Sequence, residues 1–126
     1  MVIEMRVLIF DEAGELSCRW QSDLRQRGHD ASRETTCDAA LSGLRSQRPD
    51  VIVANLAPLP ADAFLLADIA AVFTPQTRVV FVTQTQEFAD GSVFRLAQNA
   101  CAQVPDTIPP GDLTALVEYH GRSREN

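Results

Sequence analysis

Short apolar runs alternate along this chain with longer stretches in which apolar residues recur every three or four positions. Residues 5–10, MRVLIF, form the first run. A run of this length bounded by charge is the pattern of a strand covered on both faces, as in a parallel sheet. Leu16, Trp20 and Leu24 then recur at four-residue intervals, which predicts one apolar face on a helix of about 14 residues, with Gly28 as its terminator. A short, weak strand is expected at Ala31–Glu34. In TTCDAALSGLRSQ, Cys37, Ala40, Leu41 and Leu44 then take helical spacing behind a threonine cap, and Pro49 ends that unit. The next strand is expected at 50–54, and ADAFLLADIAAVF follows as a helix that Pro75 stops. Phe64, Leu65, Ala67, Ile69 and Val72 give this helix more than one apolar face. RVVFVT at 78–83 is the clearest strand of the second half. EFADGSVFRLAQNA predicts a fourth helix carrying Phe88, Val93, Phe94 and Leu96, weakened by Gly91. A short strand at Ala102–Val104, a proline-bounded loop and a closing helix over DLTALVEYHG complete the chain.

Five strand–helix repeats imply an α/β fold: a parallel sheet with helices on both faces and right-handed crossovers. In open sheets of this kind, ligands gather at the carboxyl ends of the strands, beside the point where strand order reverses. Those ends carry Asp11 and Glu12, Asn55, Thr83 and the segment VPDTIPP.

The 126 residues match the common size of one domain, and 45% hydrophobic with 22% charged residues is ordinary for a globular protein. The expected organisation is a single domain over 1–120 with a polar tail over 121–126. The longest apolar stretch, FLLADIAAVF, is interrupted by Asp68 and falls short of the roughly 20 residues of a membrane span. The start is too short and too acidic for a signal peptide, so a cytoplasmic location and no membrane partner are expected. Cys18, Cys37 and Cys101 are odd in number and widely spaced, which points to buried thiols and not to disulfides or a zinc site. His29 and His120 are expected at the surface. The net charge of −6, with all eleven basic residues scattered arginines, argues against direct nucleic-acid binding.

The order and spacing of these segments resemble the receiver domain of two-component response regulators, from Met5 to about Tyr119. VLIFDE at 7–12 is similar to the family's first strand with its acidic pair. PDVIVANLAPLP at 49–60 is similar to the strand and loop of its phosphoacceptor, and VVFVT at 79–83 to the strand ending in a switch hydroxyl. The resemblance implies a flavodoxin-like, doubly wound five-stranded parallel sheet, (βα)5, with strand order 2-1-3-4-5. It also implies a site in which the acidic pair and an aspartate bind Mg2+, the aspartate takes a phosphoryl group, a hydroxyl closes on it and a lysine pairs with it. On this chain Asp11 and Glu12 fall at the acidic pair, Asp11 being the stronger candidate ligand. Ala57 falls at the backbone-carbonyl ligand and Thr83 at the switch position.

The resemblance breaks at two positions. The phosphoacceptor falls on Asn55, a neutral and poorly nucleophilic amide that cannot form an acyl phosphate. The lysine position falls on Asp106, and the chain holds no lysine at all. Two unit charges about 4 Å apart interact by roughly 4 kcal/mol at an effective dielectric near 20, so exchanging a cation for an anion there reverses a large term. A milder departure puts Gln103 at the aromatic switch position.

The expectation is therefore an atypical receiver, a pseudo-receiver that is no enzyme and acts by protein–protein interaction without aspartyl phosphorylation at Asn55. Its partner would be a histidine kinase, an output domain or another signalling protein, or a second copy through residues 86–120. Several alternatives stay open. Asp11 and Glu12 either cap the following helix or hold Mg2+ or Ca2+ weakly, one anionic ligand having been lost. Asn55 either serves loop hydrogen bonding or locks one conformation. Thr83 is either a strand-end threonine or a switch. Regulation by metal, or phosphorylation at Asp11 or Glu12, is the intermediate reading. A flavodoxin-like domain binding FMN or a nucleotide is the third, and DEAGELS, with two leading carboxylates and one glycine, is a poor phosphate cradle.

Overall fold

The structure is a computed structural model and describes residues 4–84 and 91–123. Five strands, β1 (Arg6–Phe10), β2 (Asp30–Glu34), β3 (Val51–Asn55), β4 (Arg78–Thr83) and β5 (Ala100–Pro105), pair in parallel in the order β2-β1-β3-β4-β5. The connecting helices are α1 (Ser17–Gln26), α2 (Cys37–Gln47), α3 (Pro60–Phe73), α4 (Val93–Leu96) and α5 (Pro110–Ser123). The expected flavodoxin-like sheet and its strand order are therefore present. No helix among the described residues is long and apolar enough to cross a membrane.

The all-apolar strands are explained by cores on both faces. Leu8, Phe10, Ile52, Ala54, Val79 and Phe81 point to the side covered by α2 and α3, where Leu44, Leu66 and Ala70 meet them. Val7, Ile9, Val51, Val53, Val80 and Val82 point to the other side, against Trp20 and Leu24 of α1 and Leu113 and Val117 of α5. Alternate residues serve opposite cores because successive side chains leave a strand on opposite faces.

Local signals set the helix ends. Thr36 Oγ1 accepts the Ala39 N–H at 3.2 Å at the start of α2. Gly28, at φ +92°, ends α1 in a Schellman motif, in which its N–H donates to Arg25 O and that of His29 to Leu24 O. α5 continues to Ser123, so the segment expected as a tail from residue 121 begins inside a helix. Gly121 makes this continuation feasible, because it is buried and lies directly against the Met5 thioether, where any side chain would collide.

Other expectations are corrected. Of the fourth helix expected over 87–100, the described residues 91–100 hold one helical turn, Val93–Leu96; Gly91 precedes it at φ +80°. Ala100 instead opens β5, which is twice the expected length, and Phe88 lies outside the described residues. Cys18 is exposed, and Cys37 and Cys101 are half-buried. His29 is buried: its Nδ1 accepts the Met5 N–H at 3.1 Å and its Nε2 lies 2.8 Å from Glu118 Oε2, which ties the α1–β2 corner to α5. Tyr119 is exposed.

Candidate functional site

Parallel pairing in register brings the carboxyl ends of β1, β3 and β4 side by side. Phe10 pairs with Ala54 and Asn55 with Val82, so Asp11 just past β1 faces Asn55 across the gap between neighbouring strands. Backbone bonds hold these ends in place. The Asp11 N–H donates to Glu34 O at 3.0 Å, that of Leu56 to Val82 O at 2.9 Å, and that of Asp106 to Thr83 O at 2.9 Å.

Asp11 and Asn55 are almost fully enclosed, at 1% and 2% exposure. Asn55 Nδ2 donates to Asp11 Oδ1 at 3.0 Å, and Asn55 Oδ1 accepts the Ala57 N–H at 3.0 Å. The polarity of both neighbours fixes the amide orientation, since a backbone N–H requires the oxygen and a carboxylate requires the nitrogen. Asp11 Oδ2 accepts the N–H of Ser17, the first residue of α1, at 3.2 Å. Leu16 offers no side-chain cap there, so Asp11 satisfies an orphan donor and sets a negative charge at the positive helix end. Asp11 and Asn55 thus form one closed chain of hydrogen bonds from α1 through β1 and β3 to the loop beyond.

Glu12 does not join Asp11. It hydrogen-bonds Asp62 in the first turn of α3, and its carboxyl pKa is raised by burial first, then by that bond and by the Asp62 charge. Its Oε1 is enclosed with no partner among the described residues. The charge of one carboxylate disfavours the charged form of the other, which adds to the effect of burial on Glu12. Cys37, whose Sγ lies 3.9 Å from the Asp62 carbonyl, has its thiol pushed up by burial, with Asp62, Asp38 and Glu12 adding to the effect.

A hard divalent cation, the group the fold implies here, needs several oxygen ligands converging on one point. These residues do not fit it. Asn55 turns an N–H donor toward Asp11, both Asp11 oxygens already accept hydrogen bonds, and Glu12 is drawn away to Asp62. Among the described residues no group of three or more His, Cys, Asp or Glu side chains is arranged to hold a metal.

The remaining positions are spread around this centre. Thr83 is buried at the end of β4, and Asp106 follows β5 with a half-buried side chain. Gln103 sits on the edge strand opposite Phe81. No arginine or histidine pairs with Asp11, Glu12, Asp62 or Asp106 among the described residues. Asp62 and the Ser17 amide are site members that the sequence analysis missed. An acidic residue three positions into a helix was the visible trace of Asp62, but its pairing with Glu12 depends on how α3 lies across the sheet.

This fold is that of response-regulator receiver domains. The chain superposes on a CheY-like response regulator receiver domain protein from Methanospirillum hungatei JF-1 with a TM-score of 0.84, at 19% identity over 98% of each chain. It is similarly close to the N-terminal domain of a response regulator/sensory box/GGDEF three-domain protein from Carboxydothermus hydrogenoformans, with a TM-score of 0.80 and 21% identity over 95% of this chain and 96% of that one. In NtrX from Brucella abortus, solved with ADP, the matching part is 27% of that chain, at 18% identity over 98% of this one with a TM-score of 0.80. No protein-family profile matches the sequence, and comparison with curated proteins finds no match.

Proposed function

We propose that the chain is an atypical receiver module of two-component signalling, a single domain that acts by binding proteins and takes no phosphoryl group at Asn55. One observation carries this reading: the Asn55 amide is satisfied at both ends, by Asp11 and by the Ala57 N–H, inside an enclosed site. The group facing the site is a hydrogen-bond donor and not a nucleophile. Asp106 at the lysine position would repel a phosphoryl group, and Thr83 has no such group to close upon. The partner is a histidine kinase, an output domain or another signalling protein. Exposed Phe94, Leu96 and Tyr119 supply apolar contact area on the face built by α4, β5 and α5, through which a homodimer over residues 86–120 would also form. Nucleic acid is not a direct partner.

The test is incubation with acetyl phosphate and Mg2+ followed by intact-mass measurement. The expected result is an unchanged mass. A labile gain of one phosphoryl group that disappears in Asp11→Asn or Glu12→Gln would move the function to a neighbouring carboxylate.

A further inference from the structure

The opposite end of the sheet carries a second feature, separate from the site above. Loops 48–49 and 74–77, which lead into β3 and β4, enclose a cavity of about 300 Å3 lined by Arg48, Pro49, Phe73, Pro75, Gln76 and Thr77, among others. Its floor is tied in place. Thr77 Oγ1 donates to Pro49 O at 2.6 Å and lies 2.8 Å from Thr74 Oγ1, while Thr74 Oγ1 donates to Ala70 O at 3.2 Å. Two prolines and these bonds mean that the hollow exists before anything enters it. Its volume lies at the lower limit of small-molecule sites, which suits one large side chain better than a whole ligand.

Apolar side chains are exposed beside the cavity. Phe73 is 50% and Val72 80% exposed at the end of α3. The charge beside it is positive although the chain as a whole is at −6. Arg45 stacks over the Phe73 ring at 5.4 Å. Arg48 is exposed, pairs with no carboxylate among the described residues and sits at φ +49°, where glycine would be the less strained residue. Arg6 Nη1 donates to Gln47 O at 3.0 Å nearby, and the nearest carboxylate in sequence, Asp50, accepts the Arg6 N–H at 2.9 Å. A long cationic side chain with no carboxylate partner among the described residues, at the rim of a hollow of mixed polarity, is open to an incoming acid.

We propose that this end of the sheet is a docking site for an acidic segment of a partner protein. One aromatic or branched aliphatic side chain of that segment would enter the cavity beside Phe73, and flanking carboxylates would meet Arg48 and Arg45. Charge complementarity selects the occupant. A basic segment would be repelled at the rim, and a second copy of this strongly acidic chain would have to overcome repulsion between like net charges.

The test uses the full chain, labelled with 15N, and the capped peptide Glu-Asp-Leu-Phe-Glu-Asp. Controls are the same peptide with lysines for the acids and with serines for Leu-Phe. The acidic apolar peptide should shift the amides of Arg48, Phe73, Thr74, Gln76 and Thr77, and raising the salt from about 0.05 M to about 0.5 M should weaken binding severalfold. Arg48→Gly relieves the backbone strain, so it should melt at or above the wild-type temperature while losing roughly tenfold in affinity. Equal shifts with the lysine peptide, no shifts in this region, unchanged affinity of Arg48→Gly, or a homodimer through this face in analytical ultracentrifugation would each overturn the proposal.

Discussion

Replacing Asn55 by aspartate exchanges a hydrogen-bond donor for a second carboxylate 3.0 Å from Asp11, inside an enclosure where both side chains are at most 2% exposed. At that separation two unit charges repel by about 5 kcal/mol at an effective dielectric of about 20. Proton uptake limits the penalty. A carboxyl group with an ordinary pKa of about 3.9 costs about 4 kcal/mol to hold protonated at about pH 7, and about 1.5 kcal/mol at about pH 5. Once protonated, the group again donates to Asp11. The destabilisation of Asn55→Asp should therefore be about 4 kcal/mol at about pH 7 and shrink to about 1.5 kcal/mol at about pH 5. For a chain of this length that corresponds to roughly 15 °C and roughly 6 °C in melting temperature. The sign follows from the raised folded-state pKa: stability is fully present below the unfolded value and is lost as pH rises through the folded one. Mg2+ should restore part of the loss in the variant, because it binds only the native pair. Thermal melts followed by circular dichroism, at both pH values with and without Mg2+, measure all of this. A variant that melts within a few degrees of the wild type at neutral pH without metal would refute the assignment of the Asn55 amide as the donor to Asp11.

The other expectations concern titratable groups. Cys101 is buried enough to push its thiol up to about 11 despite the opposing charge of Arg78. It should carry roughly 200-fold less thiolate at about pH 8 than an ordinary cysteine. Iodoacetamide mapped by mass spectrometry should then modify exposed Cys18 first, with Cys37, also raised, and Cys101 far behind; modification of Cys101 at the Cys18 rate contradicts this. Burial and Asp62 raise Glu12, so its contribution to stability is complete below an unfolded pKa of about 4.3 and declines as pH rises through the folded value. Glu12→Gln, neutral throughout, should gain stability relative to the wild type between acid and neutral pH, and parallel stability curves would show that the Glu12 carboxyl is not raised in the folded state.

What the sequence made legible follows from the range of the interactions involved. RVVFVT coincides with β4 at both ends, because a strand buried on both faces leaves an uninterrupted apolar run. Thr36 and Gly28 were readable because caps act within a few residues. Within the described residues the fourth helix fell short because Val93, Phe94 and Leu96 suit a single turn as well as a full helix, and the edge strand β5 begins where the helical pattern was extended. His29 was misplaced because what buries it is a backbone amide 24 residues before it and a glutamate 89 residues after it, which no local pattern records. At the site, Asp11, Asn55 and Thr83 stood out by their positions at strand ends, and Ala57 only through the receiver resemblance. The division of labour between the two acids was not, since it turns on Asp62 reaching Glu12 from α3.

The meeting of Gly121 with Met5 places the last turn of α5 against the entry to β1. An incoming and an outgoing polypeptide can thus lie side by side at the amino-terminal end of the sheet, next to the start of β3, without crossing it.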